Sequence, residues 1–310
     1  GFFPNPSIPY GIMQNEGGPC GVLAAVQGFI LRFLIHEEVS KSFDEALART
    51  LASICWQAAQ QSDEKHAYVC LPPAGAGLTN GASSSSMENF RLFTFSDFDA
   101  LLHFVESKLQ VYQVPKGIGV ILLVVSAVLS RGGVAHTRGD MDLQDTSLIV
   151  EHGYCAQELV NLLMVGMATS NVFDGVQVLS DVAGGSKDEA TMKGIPYRGE
   201  IGFLTYYEHF DYFTVGAHLK DPRNPVWVIC SESHYSVLFA KSREVPKERE
   251  FDLFYYDELA KQEEEIRLTI TTDAGVPKVS KGDMAPPLED TIRTKWPGAS
   301  INWNGSDRIL

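Results

Sequence analysis

Apolar residues change their period along this chain, and the two halves predict different elements. After Cys20, the residues Val22, Val26, Phe29, Ile30 and Phe33 recur at three- and four-residue spacing, which predicts a helix running to about His36 with one buried face. Ser42 with Glu45 three positions on has the pattern of a capping box, so a second helix is expected from there through Cys55 and Trp56 to about Gln61, packed on the first. Phe98, Leu101, Leu102, Val105 and Leu109 predict a third helix over about Ser96 to Val111. Beyond Pro115 and Gly117, the continuous apolar run to Val125 reads as a buried central strand. Gly153 to Gly166 reads as another helix, followed by a short strand from Asn171 to Leu179 and a Gly-rich, charged loop from Ala183 to Lys193.

The second half is richer in strands. Val226 to Cys230, Tyr235 to Ala240, Phe251 to Tyr256 and Ile266 to Thr271 read as successive antiparallel strands with polar connections. Helices first and sheet later predict an α+β architecture, an N-terminal helix on a mostly antiparallel sheet, rather than alternating βαβ units. No internal repeat is evident, and residues 1–310 are expected to form one domain. From Pro72 to Asn89 the chain turns to Pro, Gly, Ala, Asn and the run Ser83 to Ser86, too polar and small to order itself, so a mobile loop is expected there.

Composition narrows the class. The 310 residues are 45% hydrophobic and 21% charged, an ordinary globular balance. The net charge of −14 argues against nucleic acid or an anionic membrane as partner and favours a neutral or basic one. Cys20, Cys55, Cys70, Cys155 and Cys230 are odd in number and irregularly spaced, so reduced thiols and an intracellular protein are expected. No charged-then-apolar leader opens the chain, and a first residue other than Met suggests a piece of a longer or trimmed protein. The apolar run from Gly117 to Ala127 is far short of the ~20 residues that span a bilayer. Gly184-Gly185-Ser186-Lys187 lacks the spacing of a phosphate loop, Asn304-Gly305-Ser306 reads as a chance glycosylation match, and Glu263 to Glu265 as a solvated approach to a strand.

The chemistry concentrates at Gln14-Asn15-Glu16-Gly17-Gly18-Pro19-Cys20, which sets one cysteine at a helix N-terminus. First-turn N–H groups and the helix dipole favour negative charge there, and a nearby imidazolium lowers a thiol's pKa further. Pro19 costs nothing at a helix start, and Gly17 with Gly18 would let the backbone turn and approach a substrate. Gln14 carries an amide that can face an oxyanion, with the Cys20 N–H as a second donor. The competing reading is a helix-opening turn with a buried structural cysteine. A nucleophile needs a base, and of eight histidines His234, at the entry of an apolar strand, is the one placed at the seam of loop and core. The next strand ends in Tyr256-Asp257, either of which can orient that imidazole. A zinc centre from His152, Cys155, Cys230 and His234 is the metal alternative, on spacings that match no compact zinc module.

Three separated segments then resemble one family. The Gln14 to Cys20 segment, Ser231-Glu232-Ser233-His234-Tyr235-Ser236-Val237-Leu238-Phe239 and His152-Gly153-Tyr154-Cys155-Ala156-Gln157-Glu158-Leu159-Val160-Asn161 are similar to the MINDY deubiquitinases, most of all to the fourth MINDY branch. The resemblance spans nearly the whole chain, from Tyr10 to the Trp296 to Leu310 segment. It implies a papain-like cysteine protease fold that hydrolyses isopeptide bonds in polyubiquitin, with preference for the lysine linkage that marks proteins for the proteasome. Cys20 would be the nucleophile, His234 the base and Gln14 the oxyanion donor. The family's third group is unconventional and lies on the strand after the histidine, where this chain has Tyr256 and Asp257. No EF-hand loop of a sister branch is visible, so neither calcium nor any other metal or cofactor is implied. The expected partners are ubiquitin and polyubiquitin chains, the expected state a monomer in cytoplasm or nucleus. Two rivals share the fold: a non-catalytic ubiquitin-binding module, and a protease for another ubiquitin-like modifier.

Overall fold

A computed structural model of the chain describes residues 1–14, 19–37, 39–73, 89–179, 190–259, 261–273, 275 and 286–308. Gly17 and Gly18, the centre of the expected 72–89 loop, and Gly184 to Lys187 lie outside the described residues.

A short hairpin of β1 (Phe3–Pro4) and β2 (Ile12–Met13) leads into α1 (Cys20–Leu31), extended by a π-helical turn over Arg32–His36. All twelve residues of α1 are buried. Each large apolar side chain so removed from water contributes roughly 1.5–3 kcal/mol of transfer free energy. In α2 (Phe43–Gln60) Ser42 caps as expected, its side chain accepting from the Glu45 N–H, while Glu45 reaches back to the Lys41 N–H. Then come the paired strands β3 (Ala67–Leu71) and β4 (Arg91–Phe95), which the sequence reading passed over, and α3 (Phe98–Tyr112), capped by Asp97.

The apolar run expected as a central strand is a helix, α4 (Gly119–Ser130). It packs against β3 on one side and against α2 on another, so it is apolar all round for the same reason a central strand is. Ser126 and Ser130, four apart, donate their hydroxyls to the Leu122 and Ser126 carbonyls and accept from the Cys70 and Tyr68 N–H groups, closing the free edge of β3. Next are α5 (Gly133–Asp140), α6 (Gln157–Val165), and the pair β5 (Val176–Leu179) and β6 (Ala190–Lys193), the strand being shorter than the Asn171–Leu179 expectation and the far end of the expected loop being strand.

After β7 (Gly202–Thr205), α7 (Tyr206–His209) and α8 (Ala217–Lys220) come β8 (Val226–Ser231), β9 (His234–Phe239), β10 (Glu250–Tyr256), β11 (Ile266–Thr271), α9 (Pro287–Lys295) and β12 (Ser300–Asn302). The sheet order is β12-β11-β10-β9-β8-β7, antiparallel throughout except for the parallel β7–β8 pair. The four predicted strands are all present, and the architecture is α+β. Val226, Val228 and Cys230 face the cluster around α1, while Trp227 and Ile229 face the one around α9 and Trp296, so β8 is buried on both sides. No single helix among the described residues is long and apolar enough to cross a membrane; α4 and α5 reach that measure only together, bent by 82°.

Candidate active site

Cys20 opens α1, with the Pro19 carbonyl accepting from the Val22 and Leu23 N–H groups to start the helix. The residue is 5% exposed, and its sulfur lies 3.9 Å from the Ser233 carbonyl oxygen, at the tip of the β8–β9 hairpin. The helix start packs closely here: a Cβ at Gly21 would stand 3.0 Å from the Cys155 Cβ and from Val160.

The antiparallel sheet brings the other partners together. β10 runs against β9 with Tyr256 opposite Val237, so the end of β10 arrives beside the start of β9, and Asp257 meets His234. The imidazole Nε2–H donates to Asp257 Oδ2 at 2.8 Å, and the same ring interacts with the Cys20 thiol. With Nε2 committed, Nδ1 is the nitrogen left for the sulfur. The bond to Asp257 first, then that to Cys20, push the imidazole up from 6.5 to about 10 against the opposing effect of burial, so His234 carries its proton at neutral pH.

Asp257 is rigidly held. Its Oδ1 accepts from the Leu259 N–H at 2.8 Å, and its own N–H donates to the Gln262 side chain at 2.5 Å. Tyr256, the other candidate for the orienting role, turns elsewhere: its hydroxyl donates to the Ile12 carbonyl at 2.7 Å and accepts from Asn5 at 3.1 Å. The same contact ties β2 to the sheet, while Gln27 of α1 accepts from the Ile12 N–H and donates to the Tyr10 carbonyl. Gln14 leaves this doubly anchored strand, is buried, and donates its N–H to the Glu258 carbonyl at 2.7 Å, which places it against the turn that carries Asp257.

Sequence reasoning missed Glu258. Its side chain is buried, and neither carboxylate oxygen has a hydrogen-bond partner among the described residues. Burial first, then the Asp257 charge, hold it well above its ordinary pKa of 4.5 and favour the neutral acid. Only its place beside Asp257 marks it in the sequence. Gln27, Asn5 and Gln262, which hold the strand and the turn, carried no signal either.

The zinc alternative finds no assembly. His234 is engaged with Asp257, Cys230 points its sulfur at the Glu232 carbonyl, 3.8 Å away, and no group of three or more His, Cys, Asp or Glu among the described residues is arranged to hold a metal. The five cysteines are buried free thiols. Burial pushes Cys155 up to about 12 and Cys230 to about 11, which leaves both protonated at neutral pH.

A thiol at a helix N-terminus, an imidazole beside it and a buried carboxylate on the far ring nitrogen make the constellation of a cysteine hydrolase: nucleophile, base and orienting group. The chain belongs to the MINDY-3/4 family, whose model, described as "Deubiquitinating enzyme MINDY-3/4, conserved domain", matches residues 2–305. It is 43% identical over 321 residues to the mouse (Mus musculus) protein named "Probable ubiquitin carboxyl-terminal hydrolase MINDY-4", covering 98% of this chain and 42% of that protein. The human relative of the same name is also 43% identical, over 327 residues with the same coverage. "Ubiquitin carboxyl-terminal hydrolase MINDY-3" of Xenopus tropicalis is 32% identical over 269 residues, 78% of this chain and 59% of that protein. The chain thus spans less than half the length of the MINDY-4 relatives. No solved structure matches it.

Proposed function

We propose that this chain is the catalytic domain of a deubiquitinase, a thiol-dependent hydrolase of isopeptide bonds in polyubiquitin, built as one papain-like domain. The observation that carries the reading is the His234 imidazole, engaged by Asp257 on one nitrogen and by the Cys20 thiol beside it, in a chain of the MINDY-3/4 family.

The reaction follows from that arrangement. The proton of the Cys20–His234 pair rests on His234, and the thiolate attacks the carbonyl that joins the carboxyl end of one ubiquitin to a lysine of the next. The Cys20 N–H and the Gln14 amide hold the oxyanion. The tetrahedral centre collapses, the C–N bond breaks, and His234 returns its proton to the departing amine. Water, deprotonated by His234, then hydrolyses the thioester and frees Cys20. Asp257 keeps the ring in place and supports its positive charge throughout.

Among linkages, the resemblance of the motifs favours the one that marks proteins for the proteasome. Incubation with chains of each defined linkage, beside the Cys20→Ala variant, tests activity and preference together. The wild type is expected to cleave that linkage fastest and the variant none. Cleavage retained by Cys20→Ala would overturn the mechanism, equal rates on all linkages would overturn the preference, and ubiquitin binding without cleavage by the wild type would favour the binding-module reading.

A further inference from the structure

Just past α7 the chain leaves three large aromatic side chains in water within four positions: Phe210 at 49% exposure, Tyr212 at 71% and Phe213 at 54%. They lie on one short segment as a ridge of two ring pairs, Phe210 and Tyr212 tilted together at 5.9 Å and Phe213 edge-on to Tyr207 at 5.9 Å. Such a patch is costly to leave exposed and has the composition of an interface hot spot.

The ridge adjoins the hairpin that carries His234. The Tyr207 hydroxyl donates to the Glu232 carbonyl at 2.9 Å, two residues before His234. Below it lies a cavity of about 240 Å³ walled by Tyr207 and Phe213 on the ridge side, by Tyr154, Tyr235 and Cys230, and bounded by Ser233, whose carbonyl approaches the Cys20 sulfur. That volume takes a few residues of extended peptide and no folded domain.

We propose that the Phe210–Tyr212–Phe213 ridge seats the folded body of the ubiquitin whose carboxyl end is attacked, while that ubiquitin's C-terminal tail lies in the cavity; the proposal rests on the hydrolase reading above. Of the two ubiquitins joined by an isopeptide bond, only the one supplying the carbonyl reaches the nucleophile through an extended tail. The other arrives through a lysine side chain. An extended chain segment suits the aromatic-walled cavity beside the exposed Glu232. The body presents an apolar patch ringed by basic residues, complementary to an aromatic ridge on a chain of net charge −14.

The test is a double variant, Phe210→Ser with Tyr212→Ser, assayed on a single ubiquitin bearing a fluorogenic amide at its carboxyl end. KM is expected to rise about tenfold or more, the scale of lost hot-spot contacts, with kcat within about twofold of wild type. Alkylation of Cys20 by iodoacetamide should be unchanged, which reports an intact fold and nucleophile. A KM within about twofold of wild type would overturn the proposal. Should the wild type hydrolyse no ubiquitin substrate, the hydrolase reading fails by itself. The ridge is then judged by titrating Cys20→Ala with monoubiquitin, with and without the ridge substitutions. Weaker binding supports the ridge and unchanged affinity rejects it.

Discussion

The Asp257 carboxylate divides its oxygens between His234 and the Leu259 N–H, and this fixed geometry separates it from Tyr256, whose hydroxyl is spent on Ile12 and Asn5. Asp257→Asn is therefore expected to lower kcat by on the order of a hundredfold or more, while Tyr256→Phe keeps the rate within a few fold and costs about 1–3 kcal/mol of stability. The pH profile carries a sign as well. Asp257 is the largest cause lifting His234 to about 10, so its loss lets the proton leave at lower pH, and the alkaline limb of kcat/KM moves down toward 6.5. An unmoved limb in Asp257→Asn would reject that coupling. Glu258 behaves oppositely to a salt-bridged acid. With its folded pKa raised, its contribution to stability is full below its ordinary value of 4.5 and falls as pH climbs toward the folded value. Glu258→Gln cannot ionise, so its melting temperature should exceed wild type at pH 8 and match it near pH 4, as thermal denaturation at the two pH values would show. Cys20 and His234 were legible because helix-start and strand-entry patterns mark their places. Asp257 could not be told from Tyr256, since neighbours at a strand end point to opposite faces and only the β9–β10 register decides which one meets the imidazole.

Among the elements, the strands of the second half were legible from their apolar runs and polar breaks, and α4 was not. An element packed on more than one side loses the periodicity that distinguishes helix from strand, so Gly117 to Val125 fitted both. The deciding signal was Ser126 and Ser130, which share a helix face and turn their hydroxyls to β3. Truncating Ser126 to Ala leaves the buried Cys70 N–H without its acceptor and is expected to cost about 1–3 kcal/mol, read as a lower urea midpoint at unchanged slope. A midpoint equal to wild type would show that the serine does not close the edge of β3. β7 was missed for a different reason: four buried residues, one of them Gly202, are too few to carry a period, although this strand supplies the sheet's parallel pair.

For the molecule as a whole, three chain segments far apart in sequence converge on the first turn of α1. The β1–β2 strand is held between Gln27 and Tyr256, the β8–β9 hairpin delivers His234, and the turn after β10 delivers Asp257. The buried helix and the sheet thus act as a rigid frame for one thiol, and ubiquitin is the substrate proposed for it. Its reactivity toward ubiquitin is the central claim. The most direct measurement is reaction of the wild type with ubiquitin carrying an electrophile at its carboxyl end, followed by mass spectrometry of the adduct. A single ubiquitin attached at Cys20, and no adduct with Cys20→Ala, is the predicted result. Attachment at Cys155 or Cys230, or none on a folded wild-type protein, would contradict it.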